Sequence, residues 1–217
     1  MKTFAIIPAY NEEKNIREVI KKVKKYVKHI VVVDDGSKDN TYETAKKEKI
    51  PVLRHVINLG KGGALKTGCE FAIKNLATNL ILIDSDMQHD PNEIPRFLKE
   101  LKNVDIVFGY RKIDKTMPAI LRFGNWFINA SAKLLYGLNL YDTTCGYRAL
   151  TTSTYKKIRW ETTGYFVEGE MIANVGREHL SFAQIPIQTI YSDKYKGTNV
   201  LDGMQIVLNM ILWRLRK

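Results

Sequence analysis

The sequence predicts an α/β fold built on a mainly parallel sheet with helices on both faces. Three observations predict it. Strand-like apolar runs alternate with helix-periodic segments through the first half of the chain. Those runs are continuous in Val, Ile and Leu, as in strands buried on both sides. Acid-rich clusters follow them directly, and parallel α/β sheets bind ligands beyond the carboxyl ends of their strands.

Each element follows from local chemistry. Lys2 to Pro8 reads as the first strand, with Pro8 ending its ladder. Asn11 suits a helix N-cap, and Glu12 and Glu13 suit a first turn. Ile16, Val19, Ile20, Val23 and Val27 then recur at helical spacing, with lysines on the opposite face. Ile30 to Val33 is a second strand, and Thr41 to Glu48 a short helix. Val52 to Val56 is a third strand, and Lys61 to Ala77 a helix after a glycine-rich turn. Leu80 to Ile83 is a fourth strand. Pro91 opens a helix through Leu101, and Val104 to Phe108 is a fifth strand.

The second half reads differently. Pro118 to Tyr136 is a long helix carrying the aromatic cluster Phe123, Trp126 and Phe127. Tyr147 to Leu150 is a strand, and Gly164 to Glu178 includes a helix. Phe182 to Tyr191 is a strand, or a strand pair broken at Pro186, and Val200 to Arg216 a last helix. With no Pro/Ser-rich linker or repeat, the simplest division is one domain over residues 1–193. A C-terminal loop and amphipathic helix follow over residues 194–217.

Composition narrows the function. The 217 residues are 45% hydrophobic and 26% charged, which argues against disorder. Two cysteines, Cys69 and Cys145, cannot form a disulfide framework, so a reducing, cytoplasmic setting is expected. The N-terminal run soon meets acids and reads as a strand rather than a signal peptide. No stretch reaches the roughly 18 apolar residues of a spanning helix. Thirty-four Lys+Arg against 23 Asp+Glu give a net charge of +11, which favours a polyanionic partner. The basic residues are scattered and no nucleic-acid motif accompanies them, so phosphorylated ligands or an anionic membrane fit better than nucleic acid.

Three clusters fall at strand ends: Ala9-Tyr10-Asn11-Glu12, Asp34-Asp35-Gly36-Ser37 and Asp84-Ser85-Asp86-Met87-Gln88. In an extended segment Asp84 and Asp86 point to one side. Two hard, like-charged oxygen ligands so close call for a cation between them, and Mg²⁺ or Mn²⁺ with diphosphate oxygens and water fits. Gln88 could orient that shell, and His89 is either a further ligand or, more simply, a solvated loop histidine. Gly60-Lys61-Gly62-Gly63 lacks the spacing of a Walker loop, and G-x-G-x-x-G is absent too. Lys61 can approach a nucleotide phosphate, or the glycines can simply serve a tight turn. His29, His55 and His179 are isolated and receive no role.

These motifs occur in order with Gly109-Tyr110-Arg111, Asp142-Thr143-Thr144-Cys145-Gly146-Tyr147-Arg148 and Glu170-Met171. The series resembles the family 2 glycosyltransferases of GT-A fold, and most closely the dolichyl (polyprenyl) phosphate mannosyl- and glucosyltransferases. The resemblance spans Lys2 to about Tyr191. It implies a nucleotide-sugar half over about 1–112 and an acceptor half over about 113–193. Pro8, Tyr10, Glu12, Asp34, Asp35, Lys61 and Ser85 would line the donor pocket. Asp35 would meet the base and Asp34 would support the turn. Asp84 and Asp86, with Gln88 beside them, would hold the metal on the diphosphate. Arg111 would face the reaction centre, and Arg148 and Glu170 belong to acceptor-half motifs. The implied reaction is inverting hexosyl transfer from UDP-glucose or GDP-mannose to a polyprenyl phosphate. The alternative acceptor is a glycan or small-molecule hydroxyl. A hydroxyl would need a base, with Asp142, Glu168 and Glu170 as candidates. Many such enzymes carry a Ser-Lys pair where this chain has Lys194-Tyr195-Lys196-Gly197-Thr198-Asn199. The last helix, ending Trp213-Arg214-Leu215-Arg216-Lys217, suits a membrane interface, docking against the domain, a membrane-protein partner or a homodimer contact.

If Asp86 carries the metal, Asp86→Ala abolishes turnover and metal-dependent UDP or GDP binding, both measured on the purified protein. Unchanged activity would remove the metal assignment.

Overall fold

The computed structural model describes residues 1–111, 119–164, 166–188 and 200–215, with side chains given outside 119–123 and 200–202. The expectations for the 194–199 stretch and for the strand end near Tyr191 lie outside these residues, and that for Phe123 outside the described side chains.

The strands are β1 (Thr3–Ala9), β2 (His29–Asp34), β3 (Val52–Arg54), β4 (Asn79–Leu82), β5 (Ile106–Arg111), β6 (Arg148–Thr151) and β7 (Phe182–Ile187). The helices are α1 (Ile16–Lys24), α2 (Thr41–Lys46), α3 (Lys61–Lys74), α4 (Ile94–Glu100), α5 (Ala119–Tyr136), α6 (Thr152–Lys157), α7 (Val167–Arg177) and α8 (Val200–Leu215). All strands form one seven-stranded sheet in the order β3-β2-β1-β4-β6-β5-β7. Every pairing is parallel except those of β6, which runs against both β4 and β5.

Both faces of the sheet are dry. Phe4 and Ile6 of β1 pack into one apolar cluster, and Ala5, Ile7 and Ala9 into the other. This is the two-residue period of a strand buried on both sides. The first cluster draws on Leu65, Cys69 and Ala72 of α3, Ile128 and Ala132 of α5, Met171 and Ile172 of α7, and Ile206 and Met210 of α8. The second draws on Ile16, Val19, Ile20 and Val23 of α1, Ala45 of α2, and Ile94 and Phe97 of α4.

Several local expectations change. Pro8 does not end β1 but pairs with Val33. The Ala9 carbonyl accepts from Asp35 N–H on the β2 side, so the missing N–H of Pro8 faces β4, whose pairing stops at Leu82. Asn11 is not an N-cap, because α1 begins at Ile16 with Asn15 before it. Asn11 instead adopts a left-handed φ of 55°. It ties two strand ends together: its N–H donates to Ser37 Oγ and its side chain accepts from Lys38 N–H, both at 2.9 Å. Pro186 does not break β7, an edge strand paired only with β5 among the described strands. The fifth strand runs on to Arg111, which places that arginine at a strand end.

The glycine-rich turn before α3 has a packing reason. A Cβ on Gly62 would sit 2.2 Å from the Thr162 carbonyl oxygen, and one on Gly60 2.6 Å from that of Thr163. Gly63 N–H donates to Thr163 at 3.0 Å, and Trp160 Nε1 donates to Gly62 O at 2.9 Å. The loop before α7 therefore lies directly on the start of α3. Gly62→Ala pushes the two backbones apart at a cost of about 1–3 kcal/mol. For a domain of this size that lowers Tm by roughly 2–12 °C, which calorimetry checks.

Candidate active site

Because β2, β1 and β4 are adjacent and parallel, their carboxyl ends deliver the three polar clusters to one edge of the sheet. The helices after β1 and β2 pack on one face and the helix after β3 on the other. A crevice opens where connections diverge in this way.

At the β1 end Tyr10 is exposed, while Glu12 is nearly buried. Glu12 N–H donates to Thr41 Oγ1 at 2.7 Å, and its carboxylate accepts from Asn15 Nδ2 at 2.7 Å. At the β2 end Asp34 accepts from Ser37 N–H at 3.3 Å. It also lies 3.0 Å from Arg54 Nε, as an ion pair out of hydrogen-bonding line. Asp35 organises the next loop. Its Oδ1 accepts from Leu59 N–H and its Oδ2 from Gly60 N–H, at 2.9 and 2.8 Å. His55 bridges Asp35 Oδ1 at 2.7 Å and Thr67 Oγ1 at 3.0 Å. The histidine read as isolated thus joins the β2 end to α3. Gly36, Ser37, Arg54, His55 and Val56 line an open cleft of about 350 Å³ beside these groups.

The centre is an ion cluster. Lys61 Nζ lies 2.7 Å from Asp84 Oδ1, 2.9 Å from Asp84 Oδ2 and 2.7 Å from Glu168 Oε1. Burial pulls the ammonium down, but Asp84 and Glu168 outweigh it and raise Lys61 above its ordinary pKa. Burial likewise pushes Asp84 up, and Lys61 outweighs it to hold that carboxyl below the usual range. Asp86 behaves oppositely: burial and then the Asp84 charge push it up. Its Oδ1 accepts from Gln88 N–H at 3.0 Å. Ser85 between them is buried. His89 is not solvated but buried, 3.4 Å from the Asp84 N–H and stacked on Tyr147, which stacks on Phe97. Gly146 covers the cluster, since a Cβ there would lie 2.6 Å from Lys61 Nζ and 2.9 Å from Asp84 Oδ2.

Beside it, Arg111 grips Asp142 with a two-pronged fork, Nε to Oδ2 at 2.7 Å and an Nη to Oδ1 at 3.0 Å. The same Nη reaches Thr144 Oγ1 at 2.6 Å. Burial raises the Asp142 carboxyl, and Arg111 more than reverses this. Arg148 and Glu170 serve backbone groups. Arg148, fully buried, donates to the carbonyls of Cys145, Glu168 and Thr143 at 3.1–3.2 Å. Glu170 accepts from Glu161 N–H and Thr162 N–H at 2.8 and 2.7 Å, which fixes the loop against Gly62. Both therefore position parts of the site. Cys69 and Cys145 are buried thiols that burial pushes up, Cys145 to about 12.

The structure thus brings Lys61, Asp84 and Asp86 together and sets Arg111 on Asp142. The sequence reading gave Glu168 no part beyond a candidate base, and Gly146 none beyond its motif. The signal was present in Lys61, whose buried charge needs acidic partners. Among the described residues no three His, Cys, Asp or Glu side chains converge into a self-sufficient metal cage. Two adjacent carboxylates fit an ion that completes its shell from substrate phosphates.

Residues 4–159 match the family model described as Glycosyl transferase family 2. The chain belongs to that family. A UDP-N-acetylglucosamine–dolichyl-phosphate N-acetylglucosaminyltransferase of Methanococcus voltae is 31% identical to this glycosyltransferase, across 99% of this chain and 96% of the relative. An undecaprenyl-phosphate mannosyltransferase of Micrococcus luteus is 27% identical, across 99% and 95%. In structure, the chain is similar to a glucosyl-3-phosphoglycerate synthase from Mycobacterium tuberculosis crystallised with Mn²⁺, UDP-glucose and glycerol 3-phosphate. The TM-score is 0.78 at 21% identity, over 98% of this chain and 79% of that one. At that identity the likeness shows the shared GT-A-like fold.

The Arg111–Asp142 pair yields a pH prediction. Asp142 is ionised in the fold below its unfolded pKa, so the pair stabilises above about pH 4 and fades as pH falls through the folded value. Arg111→Met leaves a buried carboxylate uncompensated and costs about 3 kcal/mol at neutral pH. That is roughly 6–12 °C in Tm. The gap to the wild type narrows toward pH 4, where Asp142 of the variant takes up a proton. Thermal melts from pH 4 to 8 check the sign.

Proposed function

We propose that this family 2 glycosyltransferase moves a hexose from a nucleotide-sugar to a polyprenyl phosphate. The observation that carries the acceptor class is the engagement of all three candidate bases. Asp142 is clamped by Arg111, Glu168 by Lys61, and Glu170 by two backbone amides. A hydroxyl acceptor needs a free base. An ionised lipid phosphate already carries a nucleophilic oxygen and needs alignment instead. The names of the two relatives, both lipid-phosphate glycosyltransferases, support the same reading.

In this reading Pro8, Tyr10, Glu12, Asp34 and Asp35 border the nucleoside, and Asp84 and Asp86, with Gln88 beside them, hold Mg²⁺ or Mn²⁺. The bound ion would neutralise charge building on the departing diphosphate. Arg111, held by Asp142 and Thr144, would face the reaction centre where acceptor and leaving-group phosphates meet. Arg148 and Glu170 act by positioning the 143–146 and 160–163 loops. In the same reading the donor half would span about 1–112 and the acceptor half about 113–193, with 194–217 as a terminal segment. Inversion and the donor, UDP-glucose, GDP-mannose or the UDP-N-acetylglucosamine of the first relative, belong to the proposal.

We further place the protein peripherally at the cytoplasmic membrane face. No helix among the described residues is long and apolar enough to cross a membrane. The inner side of α8 is buried through Ile206, Val207 and Met210, while Met204, Leu208, Ile211, Leu212 and Leu215 are exposed. That outer side, with Arg214, suits an interfacial helix, and a membrane-protein partner or a second copy would use it equally.

Incubation with labelled UDP-glucose, UDP-N-acetylglucosamine or GDP-mannose, polyprenyl phosphate and Mg²⁺ or Mn²⁺ tests the function. Label extracted into the organic phase is expected with one donor. Label transferred only to aqueous acceptors rejects the lipid-phosphate reading.

A further inference from the structure

We propose that Lys61 is an internal counter-cation that keeps divalent metal off the carboxylate cluster until a nucleoside diphosphate arrives, so that metal and nucleotide load together. The proposal rests on the reading of Asp84 and Asp86 as metal ligands.

Four observations carry it. First, Lys61 Nζ is within 2.9 Å of both Asp84 oxygens and 2.7 Å from Glu168, so it spans two carboxylates at contact distance. Second, its place is enclosed. The side chain is 16% exposed, and even a methyl group on Gly146 would fall 2.6 Å from the ammonium. A second cation therefore cannot share the position while Lys61 stays. Third, the protein offers a metal too little by itself, since no group of three or more acidic, His or Cys ligands converges among the described residues. Fourth, Lys61 is the first residue of α3, and its flexible four-carbon stem springs from a fixed backbone point.

Competition follows from these facts. A free divalent ion would have to strip Lys61 from Asp84, leaving a buried ammonium with Glu168 alone, and would gain only two adjacent carboxylates in return. A nucleoside diphosphate changes both sides of that exchange. Its oxygens offer Lys61 a new anionic partner and complete the coordination shell that Asp84 and Asp86 begin. Coupling of this kind is reciprocal: nucleotide tightens metal by the same factor that metal tightens nucleotide. Lys61 thus acts on loading through the carboxylates and not on the transferred sugar.

The test is Mn²⁺ binding by the full chain, followed by electron paramagnetic resonance of free Mn²⁺, with and without UDP or GDP. Wild-type protein is expected to bind Mn²⁺ at least tenfold more tightly with one nucleotide than without. Lys61→Met keeps the stem and removes the charge. It is expected to bind Mn²⁺ alone at least tenfold more tightly than wild type, with the nucleotide dependence reduced by a similar factor. Unchanged or weaker free-Mn²⁺ binding in folded Lys61→Met overturns the proposal, and so does wild-type affinity that is indifferent to nucleotide. The latter arm decides the matter even if the variant fails to fold. Asp86→Asn separates the underlying reading. If it binds Mn²⁺ with nucleotide as well as wild type does, the metal assignment itself fails. If it loses Mn²⁺ while Lys61→Met behaves as wild type, only the counter-cation role is wrong.

Discussion

A single, largely buried ammonium joins the parts of this site. Lys61 starts α3, Asp84 follows β4 and Glu168 lies in the first turn of α7, so one cation ties three elements. Two of those elements come from the first half of the chain and one from the second. Desolvated charges are tolerated only when paired, and breaking such a pair leaves an uncompensated buried charge. The surrounding backbone is shaped to this need. Gly146 has no room for a side chain, and Gly60 and Gly62 bring the turn before α3 against the 162–163 backbone.

A second tier of polar groups holds that arrangement without entering it. Asp35 and His55 fix the loop leading to Lys61. Glu170 and Trp160 fix the loop against which that turn rests. Arg148 gathers the carbonyls of Thr143, Cys145 and Glu168, so its own burial is satisfied and two loops share one anchor. Conventional sheet packing sits beneath. The two-faced core of β1 and β4 leaves only strand ends to carry polar chemistry. Arg111 belongs to this economy as well: β5 ends on it, and Asp142 and Thr144 hold its guanidinium in one plane.

Much of this was legible in the residues. Continuous Val/Ile/Leu runs separated by helix-periodic segments determined a parallel α/β sheet, because a strand buried on both faces admits few alternatives. The spacing of Asp84 and Asp86 put two carboxylates directly after one strand, and the ordered motifs pointed to the family, which the match over residues 4–159 bears out. Tertiary structure alone decided the rest. The antiparallel insertion of β6 between β4 and β5 depends on long-range pairing that no local propensity encodes. It brings the 142–148 segment beside Asp84. The left-handed turn at Asn11 answered to Ser37 and Lys38, not to helix capping. His55 looked isolated, and Glu168 no more than a candidate base, because their partners Asp35 and Lys61 are distant in sequence. Charge type and spacing can be read along a chain. Which buried charge meets which partner is fixed only when the sheet brings its strand ends together.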